Sequence, residues 1–277
     1  MALYAYDEDG LLVYSGDAEK RQGYYCYECH LPVRVRKPFR RIPHFYHKKL
    51  SPSCRQYGKS QDHLLAQLAL QKLLPGAVLE KPFRDIFRIG DVVWEPHKLV
   101  FEMQCSHISR REVEARALDY QKVGYQVVWI LDDRVFNRKV ARPAEQWMRQ
   151  GACYYASLRG ESPVYYDQFE IYHKERKVYR GQRLRVHLDR PYRMNEVSWD
   201  PEITPTQVAQ RQDPLYFEGD LCHRALAGSL QNLRDLELAY KEREGKVGGL
   251  WHVLSSQISE IVGGLMHFLQ TANERWK

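Results

Sequence analysis

Arg88-Ile89-Gly90-Asp91-Val92-Val93-Trp94-Glu95-Pro96-His97-Lys98-Leu99-Val100-Phe101-Glu102-Met103-Gln104 is the stretch on which the reading of this chain turns. Two apolar runs, 87–94 and 99–105, flank the polar turn Glu95-Pro96-His97-Lys98, the pattern of a β-hairpin. Closing that turn sets Trp94 opposite Leu99, Val93 opposite Val100, Val92 opposite Phe101 and Asp91 opposite Glu102. Directly opposed residues have Cβ atoms ~4.5–5.5 Å apart, where like charges repel. Both acids lie in apolar strands, so burial adds to the cost. A divalent cation accepting an oxygen from each carboxylate removes the repulsion. On this reading the amide at either position relieves the metal-free protein. Gln104 projects on the same face as Glu102 and can hold a water or a phosphate, and Arg88 can offset the acids or contact a phosphate. The competing reading leaves Asp91 and Glu102 at solvated strand ends.

Outward from the hairpin, Leu64, Leu65, Leu68, Ala69 and Leu73 follow the helical period, and Pro75-Gly76 stops that helix. Residues 77–83 read as a strand. Ser109 caps a second helix, with Glu112 completing a capping box and Gly124 at its C-terminal end. Residues 126–131 read as a further buried strand. The order is helix, three strands, helix, strand.

The remaining chain divides into units around this core. Residues 1–58 read as small strands around a knuckle, 59–142 as the core, 143–218 as a β-rich basic region and 219–277 as a helical region ending in a helix pair. The fold class expected is therefore α/β (α+β) and multidomain. Of 277 residues, 44% are hydrophobic, enough to bury a real core, which excludes disorder. No apolar run approaches the ~20 residues of a membrane-spanning helix. Residues 1–10 carry no basic-then-apolar block, so no signal peptide is visible and a cytoplasmic location is expected.

Lys and Arg total 42 against 35 Asp and Glu, a net charge of +7, and the excess is concentrated. Residues 31–61 hold nine basic side chains and no acidic one, interleaved with Phe39, Phe45, Tyr46 and Tyr57. Basic charge attracts phosphates and aromatic rings stack on bases, which suits single-stranded DNA, with Arg40, Arg41, Lys48, Lys49 and Arg88 as candidate contacts. The ordinary alternative is a solvated basic face. Just ahead of this stretch stands Cys26-x-x-Cys29, followed within it by His44-Phe45-Tyr46-His47 and Cys54. Two thiolates in a tight turn with later His and Cys can close a tetrahedral zinc site. The favoured ligands are Cys26, Cys29, His47 and Cys54, with His44 as the substitute. Such zinc would be structural, because so short a module builds little core unaided.

The residues His63, Glu80, Arg88-Ile89-Gly90-Asp91-Val92, Phe101-Glu102-Met103-Gln104-Cys105-Ser106, Arg116 with Tyr120, and Val128-Trp129-Ile130-Leu131 resemble the competence protein CoiA family. The Cys-x-x-Cys and His-Phe-x-His segments resemble that family too. The resemblance implies a zinc-ribbon-like N-terminal module ahead of a restriction-endonuclease-like core of the PD-(D/E)xK superfamily. It places Asp91 and Glu102 on metal-binding acids for Mg2+ or Mn2+, makes Glu80 a further active-site acid, and lets His63 line the site. Gln104 stands where most of that superfamily has Lys. The function implied is metal-dependent cleavage of imported single-stranded DNA during transformation, with recombination or competence proteins as partners. Two rivals remain: a DNA-binding adaptor on a weak or inactive nuclease fold, and a zinc-stabilised protein-interaction module.

Overall fold

Five short strands open the chain: β1 (Tyr4–Tyr6), β2 (Leu12–Tyr14), β3 (Tyr24–Tyr25), β4 (Pro32–Arg36) and β5 (His44–His47). They form an antiparallel sheet in the order β2-β1-β3-β4-β5. Ala2 and Phe45 exchange both backbone hydrogen bonds, at 3.0 and 2.8 Å, which curls β5 back toward the start of the chain. Its small core is Ala5, Ala18, Tyr24, Cys26, Val33, Phe45 and Cys54. The computed structural model describes residues 1–49, 54, 59–158, 162–194, 199–200, 202–211, 214–228 and 230–243.

The helix and hairpin pattern of the core is present: α1 (Gln61–Leu73), β6 (Val78–Phe83), β7 (Arg88–Trp94), β8 (Leu99–Gln104), α2 (Arg110–Lys122) and β9 (Gln126–Asp132). Local signals explain the boundaries. The Ser60 side chain accepts from the His63 N–H and so caps α1, and the Ser109 side chain accepts from the Glu112 N–H and caps α2. The Glu112 carboxylate does not close the box on Ser109; it reaches Arg88 and Arg116. Gly124, at φ 79°, takes the left-handed position after α2.

The sheet does not stop at residue 142. After α3 (Pro143–Met148), the strands β10 (Cys153–Ser157), β11 (Val164–His173) and β12 (Arg176–Arg185) extend it to seven strands in the order β12-β11-β10-β9-β8-β7-β6. β8, β9 and β10 run parallel and the outer pairings are antiparallel. The division expected at 142/143 therefore falls within one hydrogen-bonded sheet, because β10 pairs with β9 along its length. A separate pair, β13 (His187–Arg193) with β14 (Leu215–Glu218), is accompanied by α4 (Thr206–Ala209) and α5 (Leu221–Leu226), and residues 231–243 are helical. The helix expected further on, from Leu254 to Leu269, lies outside the described residues. The architecture is mixed α+β.

Strand alternation sorts the core into two layers. On one face Val92, Trp94, Phe101, Met103, Val128 and Ile130 pack with Leu64 and Leu70 of α1. That layer also takes in Leu3 from the N-terminal sheet and Val186, Leu188, Leu215 and Phe217 from the C-terminal part. On the other face Val93, Val100, Val127, Trp129 and Leu131 pack with Val113 and Tyr120 of α2 and Met148 of α3. The sheet is thus held between α1 and α2, and its edge near Asp91 and Glu102 opens between them. Among the described residues no helix is long and apolar enough to cross a membrane.

Candidate active site and metal centre

The hairpin forms in the register its turn dictates, with Val92–Phe101, Val93–Val100 and Trp94–Leu99 as partners. The paired ladder ends there, with Asp91 and Glu102 one step beyond its last pair. The two acids turn to different helices. The Glu102 carboxylate accepts from Tyr120 OH at 2.7 Å and Arg116 at 2.8 Å, both on α2. Asp91 Oδ1 accepts from His63 Nε2 at 3.1 Å and Gln67 Nε2 at 2.8 Å, both on α1, while its Oδ2 accepts from the Met103 N–H at 2.9 Å.

The acid facing Asp91 is Glu80. It lies between the partners Leu79–Val92 and Lys81–Gly90, so β6 sets it across from Asp91. Glu80 is buried and has φ 47°, a conformation a side chain of its size rarely adopts, so the surrounding structure holds it there. Gly90 beside it has no room for a Cβ, which would come within 2.7 Å of Val93 and 2.9 Å of Val100 side-chain atoms. Lys59, immediately before the cap of α1, bridges the two acids, with Nζ 3.0 Å from Glu80 Oε1 and 2.9 Å from Asp91 Oδ1. The other Glu80 oxygen accepts from the Leu3 N–H at 3.0 Å.

Lys59, His63, Asp91, Glu102, Arg116 and Tyr120 line a cavity of about 310 Å³ with Ser60, Arg88, Gln104, Cys105 and Ser106, while Glu80 and Gln67 reach it only through their bonds to Lys59 and Asp91. Their electrostatics diverge. Burial opposes the charge on Asp91, but His63 and Lys59 outweigh it and hold the carboxyl well below the usual range. Burial, and then the charge of Asp91, push Glu102 upward against Arg116 and Tyr120. Two neighbouring carboxyl groups with values driven apart are the electrostatic pattern of acid–base sites. Burial also opposes the charge on Lys59, and Asp91 with Glu80 raise it above the ordinary lysine value. Gln104 donates to the Ser106 carbonyl at 2.6 Å. Arg88 reaches the cavity but its guanidinium is engaged by Glu112 and Asp119 at 2.7 and 2.9 Å. Cys105 is a half-buried thiol pushed up to about 12 by desolvation. The three acids offer only hard oxygen donors, the set that suits Mg2+ or Mn2+, with an ammonium seated on two of them.

The second centre lies in the N-terminal sheet. Ligand atoms of Cys26, Cys29, His47 and Cys54 all fall within 4.8 Å of one another. Cys26 and Cys54 sulfurs are 3.6 Å apart, and Cys29 Sγ is 3.2 Å from His47 Nε2. Tetrahedral zinc with Zn–S near 2.3 Å spaces its sulfurs roughly 3.8 Å apart, so the cluster fits such an ion with small adjustments. The Cys26 thiol is lowered to about 5, chiefly by its contact with Cys54, and so has the thiolate character a ligand needs. His44 is not in the cluster: its Nδ1 contacts the Ile42 carbonyl at 2.9 Å. Three residues apart on β5, His44 and His47 project from opposite faces, so only one can reach the thiols. Around this centre Arg40, Arg41, Lys48 and Lys49 are exposed, as is Phe39, and the Arg36 guanidinium sits 4.7 Å from the Tyr46 ring centre.

Comparison with known proteins meets this geometry at both centres. The family model described as "Competence protein CoiA, nuclease-like domain" matches residues 59–176, and that described as "Competence protein CoiA, N-terminal domain" matches residues 15–56. The chain belongs to the competence protein CoiA family. No curated protein and no solved structure matches it. In this CoiA-family chain the nuclease-like segment contains every acid of the cavity, and the N-terminal segment contains all four clustered thiol and imidazole ligands. Sequence reasoning did not single out Lys59, Gln67 or the bonds from Arg116 and Tyr120 to Glu102. Gln67 carried a usable signal, since it lies four residues after His63 and hence on the same helical face.

Proposed function

We propose that this CoiA-family protein hydrolyses phosphodiester bonds in DNA, on imported single strands in the cytoplasm, with the cavity lined by Asp91 and Glu102, and the adjoining Glu80, as its active site. The observation carrying this reading is the pair of neighbouring carboxyls whose ionisation is driven in opposite directions at a polar cavity edged by cations. The helix, three-stranded meander, helix and parallel strand around it support a PD-(D/E)xK, restriction-endonuclease-like core. Asp91 and Glu102, with Glu80, would hold a magnesium or manganese ion, which supplies Lewis acidity toward the phosphate and lowers the pKa of bound water. His63 and Gln67 keep Asp91 ionised and aimed at the cavity. Tyr120 and Arg116 fix Glu102, and Arg116 contributes a positive charge near the phosphate. Gln104 orients a water or a phosphate oxygen by hydrogen bonding, without the charge a lysine would bring. Zinc at Cys26, Cys29, His47 and Cys54 would hold the basic N-terminal sheet, whose exposed Arg40, Arg41, Lys48 and Lys49 suit a nucleic-acid backbone.

Purified protein incubated with labelled single- and double-stranded DNA, in magnesium, manganese or chelator, tests this. Metal-dependent cleavage that Asp91→Asn abolishes is the expected result. A wild type inert on every DNA form with every metal overturns it. The uncharged Gln104, together with an ammonium on two of the acids, favours a second reading as a DNA-binding adaptor in recombination; DNA binding without cleavage is its signature.

A further inference from the structure

Lys59 differs from the other cations around the cavity. Arg88 is paired with two acids of α2, Glu112 and Asp119, and Arg116 divides its charge between Glu102 and Glu112 of α2. Both carboxylates that Lys59 meets, Glu80 and Asp91, belong to the cavity's own acid cluster, and its side chain is only 10% exposed. Its position is not left to a flexible tether. The Ser60 side chain caps α1 through the His63 N–H, and the Lys59 carbonyl accepts from the N-terminal amine at 3.5 Å, so the backbone delivering the ammonium is fixed from both sides.

We infer that Lys59 is an internal stand-in for the metal: its ammonium neutralises Glu80 and Asp91 in the metal-free protein, and a divalent cation must displace it to bind there. The inference rests on the reading of these acids as a metal site. Its physical basis is competition for the same oxygens. Asp91 Oδ1 already accepts from Lys59, His63 and Gln67, so it has no lone pair to spare for an ion until one donor leaves. Of the three, the lysine is the one that carries its positive charge throughout the neutral pH range, and its withdrawal takes away a charge that would repel the ion. Lys59 lines the cavity, and its flexible four-carbon stem gives the ammonium somewhere to go. Because only the fraction of molecules with Lys59 withdrawn is competent to bind, the apparent affinity for metal is reduced by that fraction. The metal-free protein, in turn, avoids two uncompensated buried carboxylates.

The test is Mn2+ binding by calorimetry, together with melting temperature in chelator and in Mn2+, for wild type, Lys59→Met, Lys59→Gln and Asp91→Asn, each checked for native circular dichroism. Both Lys59 variants should melt lower than wild type in chelator, recover with Mn2+, and bind Mn2+ roughly tenfold or more tightly than wild type. Asp91→Asn should show neither the recovery nor the tight binding. Equal Mn2+ affinity in wild type and the Lys59 variants overturns the competition and leaves the nuclease reading standing. No binding by any of the proteins overturns both. Should neither Lys59 variant fold, the wild type alone still decides: a melting temperature that climbs with low Mn2+ as a preformed site demands sinks the inference.

Discussion

Replacing Asp91 and Glu102 in turn by their amides should have opposite consequences for stability, although the sequence alone made the two acids look equivalent. Asp91→Asn removes the charge that Lys59, His63, Gln67 and the Met103 N–H are arranged around, and turns an amide N–H toward donors. Breaking one partner out of a buried ion pair costs about 3–5 kcal/mol. At roughly 2–4 °C per kcal/mol for a chain of this size, the melting temperature should fall by about 6–20 °C. Glu102 is different, because burial and the Asp91 charge already push it toward the neutral form. Glu102→Gln should therefore stay within about 1 kcal/mol of wild type at neutral pH. The pH dependence follows from the directions of the shifts. Asp91 is depressed, so its contribution is present above the unfolded carboxyl value near ~4 and fades as pH falls below it. Glu102 is raised, so its ionisation costs stability as pH climbs past the unfolded value. Melting curves by circular dichroism, with zinc retained and magnesium absent, at several pH values, measure both. A Glu102→Gln protein that loses as much stability as Asp91→Asn, or more, refutes this account of the site.

Freshly purified, reduced protein should carry about one zinc per chain, and Cys26→Ala should lose the metal along with the N-terminal sheet; elemental analysis and circular dichroism read both. DNA affinity should fall steeply with salt, and the double change Arg40→Ala with Arg41→Ala should lower the slope of log K against log salt by roughly 2 without altering sequence preference, as filter binding or anisotropy across salt would report. Gln104→Lys places a cation where the hydrogen bond to Ser106 now sits and should raise the rate of any cleavage by about tenfold or more, measured in single-turnover assays.

What the sequence disclosed was local, and what it concealed was tertiary. The register of Val92, Val93 and Trp94 against Phe101, Val100 and Leu99 follows from the length of one turn and the parity of two apolar runs, so it could be read directly. The caps at Ser60 and Ser109 are likewise set within a few residues. The partner of Asp91 could not be read that way. It depends on β6 pairing with β7 and on the positive φ of Glu80, which no local pattern announces. Lys59 was hidden by its company, being one basic residue among nine until burial distinguishes it. The choice between His44 and His47 waited only on knowing that they share a strand. The joining of β10–β12 to the core sheet rests on pairings between distant residues, which composition shifts along the chain do not report.

The bond from the Leu3 N–H to Glu80, and the burial of Leu3 under the seven-stranded sheet, bear on how the protein can be taken apart. A fragment spanning 59–176, the matched nuclease-like segment, would lack Leu3, Val186, Leu188, Leu215 and Phe217 from its central layer, as well as most of β12. At about 1.5–3 kcal/mol per buried side chain, those five together represent about 7–15 kcal/mol. That is as large as the whole stability of an ordinary domain, about 5–15 kcal/mol. The two matched segments therefore mark stretches of shared ancestry, while the unit that folds is assembled from both of them and from the chain beyond.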